Sequence, residues 1–365
     1  MLTLCNGLKH LGNDVDLFLE TKRKGDLAET ALTRFDLEPR TDLSLSVKSG
    51  PMDFVHDLKF LAASFESKDR PKIVHCHASH DHVLSALARL KTRLRATGAP
   101  VIVRHLHTDG AAKSSMLYYR LWKKTDGVVT ASLQIAEQLK HNHGFPQDRI
   151  LVLQNSVDPD LFTPNGPGRD EIRASLGLVD GDFLFGMVAR FRPQRGHGDL
   201  VHAFYRRLKQ VKRLHLVLVG RGEEHERIAG LCRELGLDDR VHLAGFVKQE
   251  NLPEIYRAMD AALLMREGSD AGCRAVLEAM ACGLPVIGTN RASMPALIDD
   301  GVTGMVVPGD DADEVARVML EMFSSGKRAK EMGVAARNRV LSGFSQAGRA
   351  ARCQDFYYSL LSNSQ

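Results

Sequence analysis

The sequence predicts an α/β protein with two domains, each a parallel β-sheet covered by helices. Short apolar runs rich in β-branched residues alternate with helical patterns in two separate blocks of the chain. A stretch rich in turn-forming residues, 158–167, lies between the two blocks. The length of 365 residues also suits about two domains of ordinary size.

Each block predicts its own set of strands. The first block has candidate strands at Asp14–Leu19, Lys72–His75, Pro100–Arg104, Gly127–Thr130 and Ile150–Leu153. The second block has them at Phe183–Ala189, His215–Val219, Val241–Leu243, Ala261–Leu264, Val286–Thr289 and Met305–Val307. The helical patterns between them include Asp81–Arg95, Leu133–His141, Asp199–Val211 and Glu223–Leu235. We therefore expect domains at 1–160 and 161–343, with 344–365 as a helix that crosses back to the first domain.

Composition excludes several classes of protein. Hydrophobic residues make up 44% and charged residues 26% of the chain, which is typical of a globular protein in water. No apolar run approaches the roughly 20 residues of a membrane-spanning helix, and the N-terminus does not resemble a signal peptide. The six cysteines form no CxxC pair, which indicates free thiols in a reducing compartment. We expect a cytoplasmic protein that does not bind nucleic acid.

Positive charge is concentrated in the first block. Residues 1–150 hold 22 basic and 17 acidic residues, whereas the remainder holds 27 and 28. Four basic residues share a helical segment with apolar leucines: Arg89, Lys91, Arg93 and Arg95. Such a face can contact an anionic membrane or an acidic partner, or it can simply be solvated. Both interpretations stay open.

The beginning of the chain departs from the expected pattern. Residues 1–11 read as a helix that ends at Gly12, followed at once by a strand. A doubly wound domain normally opens with a strand, so the first domain is expected to lack its opening strand.

The segment 267–288 carries the most information about function. It predicts a loop after a buried strand, a helix from about Cys273 to Cys282, a glycine cap at Gly283, and then another strand. The N-terminus of such a helix, with Gly272, Cys273 and Arg274, can bind a diphosphate through free N–H groups and the helix dipole.

Two acidic residues stand out in this segment. Glu278 lies on an apolar helix, where a carboxylate needs hydrogen-bond donors such as ribose hydroxyls, or an internal arginine. Asp270 lies at the junction of loop and helix, where it either contacts a ligand or caps the helix.

Two arginines follow the first strand of the second block. Arg190 and Arg195 are spaced to converge on one anion, although two such residues can equally be solvated. Fixed cations of this kind can neutralise a diphosphate leaving group without Mg²⁺.

Six histidines lie near strand ends in the first block: His75, His77, His80, His82, His105 and His107. Their spacing to cysteines and carboxylates does not match common zinc sites, so no metal is expected. A histidine at a strand end is more often structural than functional.

These segments resemble the family 4 retaining glycosyltransferases. The resemblance is carried by the pair Asp270 and Glu278, which flank seven other residues before Ala-Met-Ala-Cys-Gly-Leu-Pro-Val, and by Ala189-Arg-Phe-Arg-Pro-Gln-Arg-Gly196. The family more often has Glu at the first acidic position, Gly-Phe-Gly where Ala271-Gly-Cys273 stands, and Lys where Arg195 stands. The resemblance runs from about Ile73 to Pro308.

The resemblance implies the GT-B architecture, with two Rossmann-like domains facing across a cleft. It implies that Glu278 holds the ribose, that Asp270 and His107 contact the donor sugar, and that Arg190 and Arg195 stabilise the departing diphosphate. Backbone groups of Phe246 and Val247 would contact the base, and His75 and His77 would lie on the acceptor side of the cleft.

The sequence therefore predicts a retaining, metal-independent transferase. It would move a sugar from a nucleotide-diphosphate sugar to a glycan or lipid-linked acceptor, in surface polysaccharide or lipopolysaccharide assembly, without a cofactor. Two alternatives stay open: an enzyme of the nucleotide-sugar epimerase type, and a truncated non-catalytic protein that binds nucleotide sugars.

Overall fold

The computed structural model describes residues 1–20, 31, 33, 35–45, 50–92, 98–107, 121–266, 273–291, 293–309 and 311–363. The chain forms two compact units. Unit 1 comprises Met1–Gln154 and Gln346–Gln365, and unit 2 comprises Asn155–Ser345.

Unit 1 is built on parallel strands. Its four-stranded sheet has the order β3-β4-β5-β6, and a separate pair consists of β1 and β2. The strands are β1 (Leu17–Phe18), β2 (Pro39–Arg40), β3 (Ile73–Cys76), β4 (Val101–Leu106), β5 (Gly127–Thr130) and β6 (Ile150–Val152). The helices are α1 (Leu2–His10), α2 (Pro51–Glu66), α3 (Ser79–Lys91), α4 (Leu133–His143) and α13 (Gln346–Ser362).

Helices cover both faces of the four-stranded sheet. All six residues of β4 are buried, as expected for a parallel strand packed on two sides. On one face, Val101 and Val103 pack with residues of α1 and α13. Gly7 of α1 lets this helix lie close against α13, because a Cβ at residue 7 would be only 2.6 Å from the Cβ of Ala350.

Unit 2 contains one six-stranded parallel sheet of order β12-β11-β10-β7-β8-β9. Its strands are β7 (Phe183–Val188), β8 (Leu214–Val219), β9 (Val241–Gly245), β10 (Ala261–Leu264), β11 (Val286–Thr289) and β12 (Gly304–Val307). Its helices are α5 (Arg169–Ser175), α6 (His197–Leu208), α7 (His225–Glu234), α8 (Leu252–Ala258), α9 (Arg274–Ala281), α10 (Met294–Leu297), α11 (Ala312–Ser324) and α12 (Gly326–Gly343). A single large hydrophobic core holds this unit together.

The predicted fold class, two Rossmann-like α/β domains of the GT-B type, is confirmed. One predicted strand is much shorter than expected, since Asp14–Leu19 reduces to the two residues of β1. This strand pairs only with the two-residue strand β2, so the ladder cannot extend further. In the described part of the chain, no helix combines the length and the apolar character needed to cross a bilayer.

Candidate functional site

The order of the strands in unit 2 points to one position for a ligand. The chain runs from β7 through β8 to β9 on one side of the sheet and then returns to β10 on the other side of β7. In open parallel sheets, ligands bind beyond the carboxyl ends of the strands where the strand order reverses. Here that position lies between the ends of β7 and β10.

The segment after β7 brings positive charge to this edge. Arg190 is exposed, and its guanidinium has no hydrogen-bond or ion-pair partner among the described residues. Pro193–Arg195 forms a single 3₁₀ turn, Gly196 adopts φ 79°, and α6 begins at the next residue. Burial, and after it the positive charge of Arg195, lower the pKa of His197 to about 4. Arg195 is two residues before the start of α6 and thus lies close to the positive end of the helix dipole.

Two glycines in the loop after β8 fix the backbone beside Arg190. A Cβ on Gly220 would lie 2.0 Å from the carbonyl oxygen of Ala189, and one on Gly222 would lie 2.1 Å from that of Phe191. Both glycines also have positive φ angles, 148° and 157°. Only glycine lets the two loops pack this closely. The Gly-x-Gly sequence here therefore has a structural reason.

Glu278 is buried inside unit 2 beside a tyrosine. Its side chain is on α9, only 5% exposed, and the hydroxyl of Tyr256 donates a hydrogen bond of 3.0 Å to Oε2. Tyr256 is itself only 1% exposed. This burial is the main cause that raises the pKa of its phenol well above the usual value, and the nearby negative charge of Glu278 is the second. The phenol therefore stays protonated and acts as a donor. The sequence predicts ribose or an arginine as the partner of Glu278, whereas Tyr256, 22 residues away along the chain, gives no signal there.

The N-terminus of α9 carries backbone strain. Cys273 is buried and adopts φ 48° and ψ 51°, the left-handed region that non-glycine residues rarely occupy. Residues in such conformations are common where a loop approaches a ligand. Arg274, the first residue of the helix, is exposed. Two residues predicted in this loop, Asp270 and Gly272, lie outside the described residues.

The end of β9 presents an aromatic side chain. Phe246 is 58% exposed, and the guanidinium carbon of Arg221 lies 4.4 Å from the centre of its ring. This is a cation–π contact between the loop after β8 and the loop after β9. Val247, the neighbouring residue predicted to contact the base, is half-buried.

In unit 1, four histidines stack at the ends of β3 and β4. The register pairs His75 with Val103, so odd-numbered residues of both strands share one face. Ring centroids are 4.7 Å apart for His75 and His77, 4.9 Å for His77 and His105, and 4.3 Å for His105 and His107. The structure thus brings together all three predicted site histidines and adds His105.

The surroundings of this stack hold it in place. His75 Nδ1 bonds the hydroxyl of Tyr357 on α13, and His77 Nδ1 lies 3.1 Å from His107 Nε2. The carboxylate of Asp81 accepts hydrogen bonds from the backbone N–H groups of residues 77, 78 and 82 at the start of α3. Burial, followed by the positive charge of Arg349, lowers the pKa of His75 to about 3. This imidazole is therefore neutral near pH 7.

The basic face predicted on α3 differs from the expectation. The guanidinium of Arg89 is turned inward, where it pairs with the carboxylate of Asp126 and donates to the carbonyls of Lys124 and Pro100. Arg89 is thus not available to a membrane, because three acceptors inside unit 1 hold it. Lys91 is exposed, while Arg93 and Arg95 lie outside the described residues.

We expect Arg89→Gln to lower the free energy of unfolding of unit 1 by about 1 kcal/mol, since it removes a partly buried charged hydrogen bond. Urea unfolding would measure this change. Lys91→Gln on the same helix is the control and should stay within about 0.5 kcal/mol of the parent, because its side chain is exposed. Equal effects of the two substitutions would contradict the internal role of Arg89.

The fold matches that of solved sugar transferases. A glycosyltransferase from Rickettsia africae ESF-5 aligns over 99% of this chain and 94% of that one, with a TM-score of 0.81 at 21% identity. The Anabaena protein Alr3699/HepE, solved in complex with UDP-glucose, aligns over 99% and 96%, with a TM-score of 0.75 at 19% identity. Two units of this kind define the GT-B fold.

The sequence comparisons give the family. Residues 1–161 match the model described as Glycosyltransferase Family 4, and residues 168–339 match the one described as Glycosyl transferases group 1. The chain belongs to this family and is a glycosyltransferase, which confirms the predicted resemblance and the predicted class of enzyme.

Curated relatives agree with this assignment. The chain is 28% identical to N-acetyl-alpha-D-glucosaminyl L-malate synthase of Bacillus anthracis, over 82% of this chain and 77% of the relative. It is 27% identical to the GDP-mannose-dependent alpha-(1-6)-phosphatidylinositol monomannoside mannosyltransferase of Mycolicibacterium smegmatis, over 73% and 72%.

Proposed function

We propose that the enzyme moves a sugar from a nucleotide-diphosphate sugar to a glycan or lipid-linked acceptor, with retention of anomeric configuration and without a metal ion at the diphosphate. The observation that carries this proposal is the arrangement in unit 2. The exposed cation Arg190 follows β7, and the buried acid Glu278 lies on the helix after β10. These two strands, β7 and β10, flank the point where the strand order reverses.

The chemistry of the site supports this donor class. When the bond between the anomeric carbon and the diphosphate breaks, negative charge collects on the departing diphosphate. Arg190, Arg195 and the N-terminus of α6 supply fixed positive charge to stabilise it. The carboxylate of Glu278 accepts hydrogen bonds from the ribose hydroxyls, and the hydrogen bond from Tyr256 holds this carboxylate in position. Asp270 and His107 position the sugar, and the backbone beside Phe246 contacts the base.

The relatives differ in donor and acceptor. The Anabaena protein was solved with UDP-glucose, and the Mycolicibacterium enzyme uses GDP-mannose. The fold is also shared with the lipopolysaccharide outer core galactosyltransferase WaaB, at a TM-score of 0.73 and 19% identity. We therefore propose a role in surface polysaccharide or lipopolysaccharide assembly, on the cytoplasmic side of a membrane that carries the acceptor.

A donor screen tests the proposal. The chain is mixed separately with UDP-glucose, UDP-galactose, UDP-N-acetylglucosamine and GDP-mannose, and thermal shift and release of nucleoside diphosphate are both measured. One donor should raise the melting temperature and be consumed, while the matching free sugar should do neither. If no nucleotide sugar binds or is consumed, the proposed donor class is wrong.

We expect EDTA to leave both nucleotide binding and sugar transfer unchanged, because arginines and a helix N-terminus neutralise the diphosphate. The measurement is the initial rate of nucleoside diphosphate release with EDTA, with added Mg²⁺ and with added Mn²⁺. A strict requirement for either added ion would contradict the proposed role of the arginines.

A further inference from the structure

Three histidines of unit 1 lie close enough together to share one ion. His75, His77 and His105 each offer a ring nitrogen, and these three atoms all lie within 4.8 Å of one another. They come from the adjacent strands β3 and β4, whose pairing sets their relative position. We propose that His75, His77 and His105 form a binding site for a transition-metal ion such as Zn²⁺.

Only small shifts of the ring nitrogens toward the ion are needed. Three atoms within 4.8 Å of one another lie within at most about 2.8 Å of a common point. Zinc–imidazole bonds are about 2.0–2.1 Å long, so each nitrogen must move inward by about 0.7 Å or less. The three rings are stacked, with interplanar angles of 15–23°, so each must also turn about its side-chain torsions to point its nitrogen at the ion, while the strands stay in place.

Two ring nitrogens in the cluster lack a protein partner. Nε2 of His75 and Nδ1 of His105 are buried, and neither has a hydrogen bond to any residue that the structure describes. A buried polar atom without a partner is uncommon and calls for a ligand or a water molecule. A metal ion bound by these lone pairs would satisfy both.

The outer contacts of the cluster match those of metal-binding histidines. Such histidines usually engage their second ring nitrogen with a neighbouring group, which fixes the tautomer and the orientation of the ring. His75 bonds Tyr357 through Nδ1, which leaves Nε2 for the metal. His77 engages His107 through its own Nδ1. That contact leaves Nε2 of His77 for the metal in the same way.

The donor set selects the kind of metal. Three imidazoles suit Zn²⁺, Cu²⁺ and Ni²⁺, whereas Mg²⁺ prefers oxygen ligands. Three protein ligands on zinc leave one position open. This site is thus different in chemistry from the proposed diphosphate site of unit 2.

Metal titration of the whole, untagged chain tests the site. The protein is first stripped with a chelator, and Zn²⁺ is then titrated against a chromophoric competitor, with Co²⁺ absorption as a second measure of tetrahedral binding. We expect one tight ion per chain, and loss of that ion in His105→Ala. His141→Ala is the matched control, because its side chain is 79% exposed, and it should bind like the parent.

A second variant keeps all three ligands. Tyr357→Phe keeps the three ligands, removes the outer hydrogen bond to His75 together with the one to Cys353, and should weaken Zn²⁺ binding about 10- to 100-fold. Circular dichroism confirms that each variant is folded. The proposal is overturned if the parent binds no tight Zn²⁺, if His105→Ala binds as well as the parent, or if Tyr357→Phe has unchanged affinity.

Discussion

Arg190→Ala should lower the turnover number about 10²- to 10³-fold, the cost of removing one fixed group that stabilises transition-state charge. The guanidinium lies at the end of β7, exposed and without a protein partner in the described part of the chain, so it is available to the diphosphate. Charge on the diphosphate grows as the glycosidic bond breaks. The loss should therefore be greater in turnover number than in the affinity for donor. Steady-state kinetics with the donor found in the screen would measure both.

The neighbouring Arg192 provides a matched control for this prediction. It is exposed in the same loop, and its guanidinium also has no partner among the described residues. Arg192→Ala makes the same change of charge, yet it should leave turnover within a few-fold of the parent. Arg190→Lys should recover part of the activity, because it keeps the charge but not the planar fork. Equal losses in Arg190→Ala and Arg192→Ala would mean that only general positive charge matters.

Glu278→Gln should weaken the binding of the nucleoside diphosphate by about 1–3 kcal/mol, the scale of a hydrogen bond to a charged group. The substitution keeps the size of the side chain and retains an acceptor for the Tyr256 hydroxyl, so packing around α9 is preserved. What is lost is the charge that the ribose hydroxyls would contact. Titration calorimetry with the nucleoside diphosphate gives the change directly.

Glu226→Gln is the control for this second prediction. Glu226 lies on α7 of the same unit and its side chain is 91% exposed, so its substitution makes the same change of charge away from the proposed site. Its affinity should match that of the parent. If Glu278→Gln binds as tightly as Glu226→Gln, Glu278 holds the protein together through Tyr256 and does not bind ribose.

The strands of the central sheets could be predicted because they are short, apolar and buried on both sides. Gly127–Thr130, Ala261–Leu264 and Val286–Thr289 were predicted with the observed bounds, and the cap of α9 at Gly283, with φ 76°, was also predicted. In contrast, β2 begins with Pro39, a residue that disfavours a strand, and it forms only two residues of an isolated pair. Local sequence gives no signal for such a pairing.

The candidate site was predictable where it depends on consecutive residues and not where it depends on packing. Arg190 and Glu278 stand out within their own segments. Tyr256 does not, because its role depends on the packing of α8 against α9. The cluster of three histidines likewise depends on the register of β3 against β4, which the spacing of histidines along the chain does not reveal.

The return of α13 to unit 1 has a consequence for synthesis on the ribosome. Unit 2 is continuous in sequence and can fold as soon as residues 155–345 have emerged. Unit 1 begins first but cannot fully cover one face of its sheet until α13 is made, since Phe356 and Leu360 pack directly on Gly127 of β5. Until then, Val101, Val103 and Val129 remain exposed to water and to other nascent chains. Chaperones and proteases would therefore meet unit 1 as the vulnerable part of a chain whose second half is already folded.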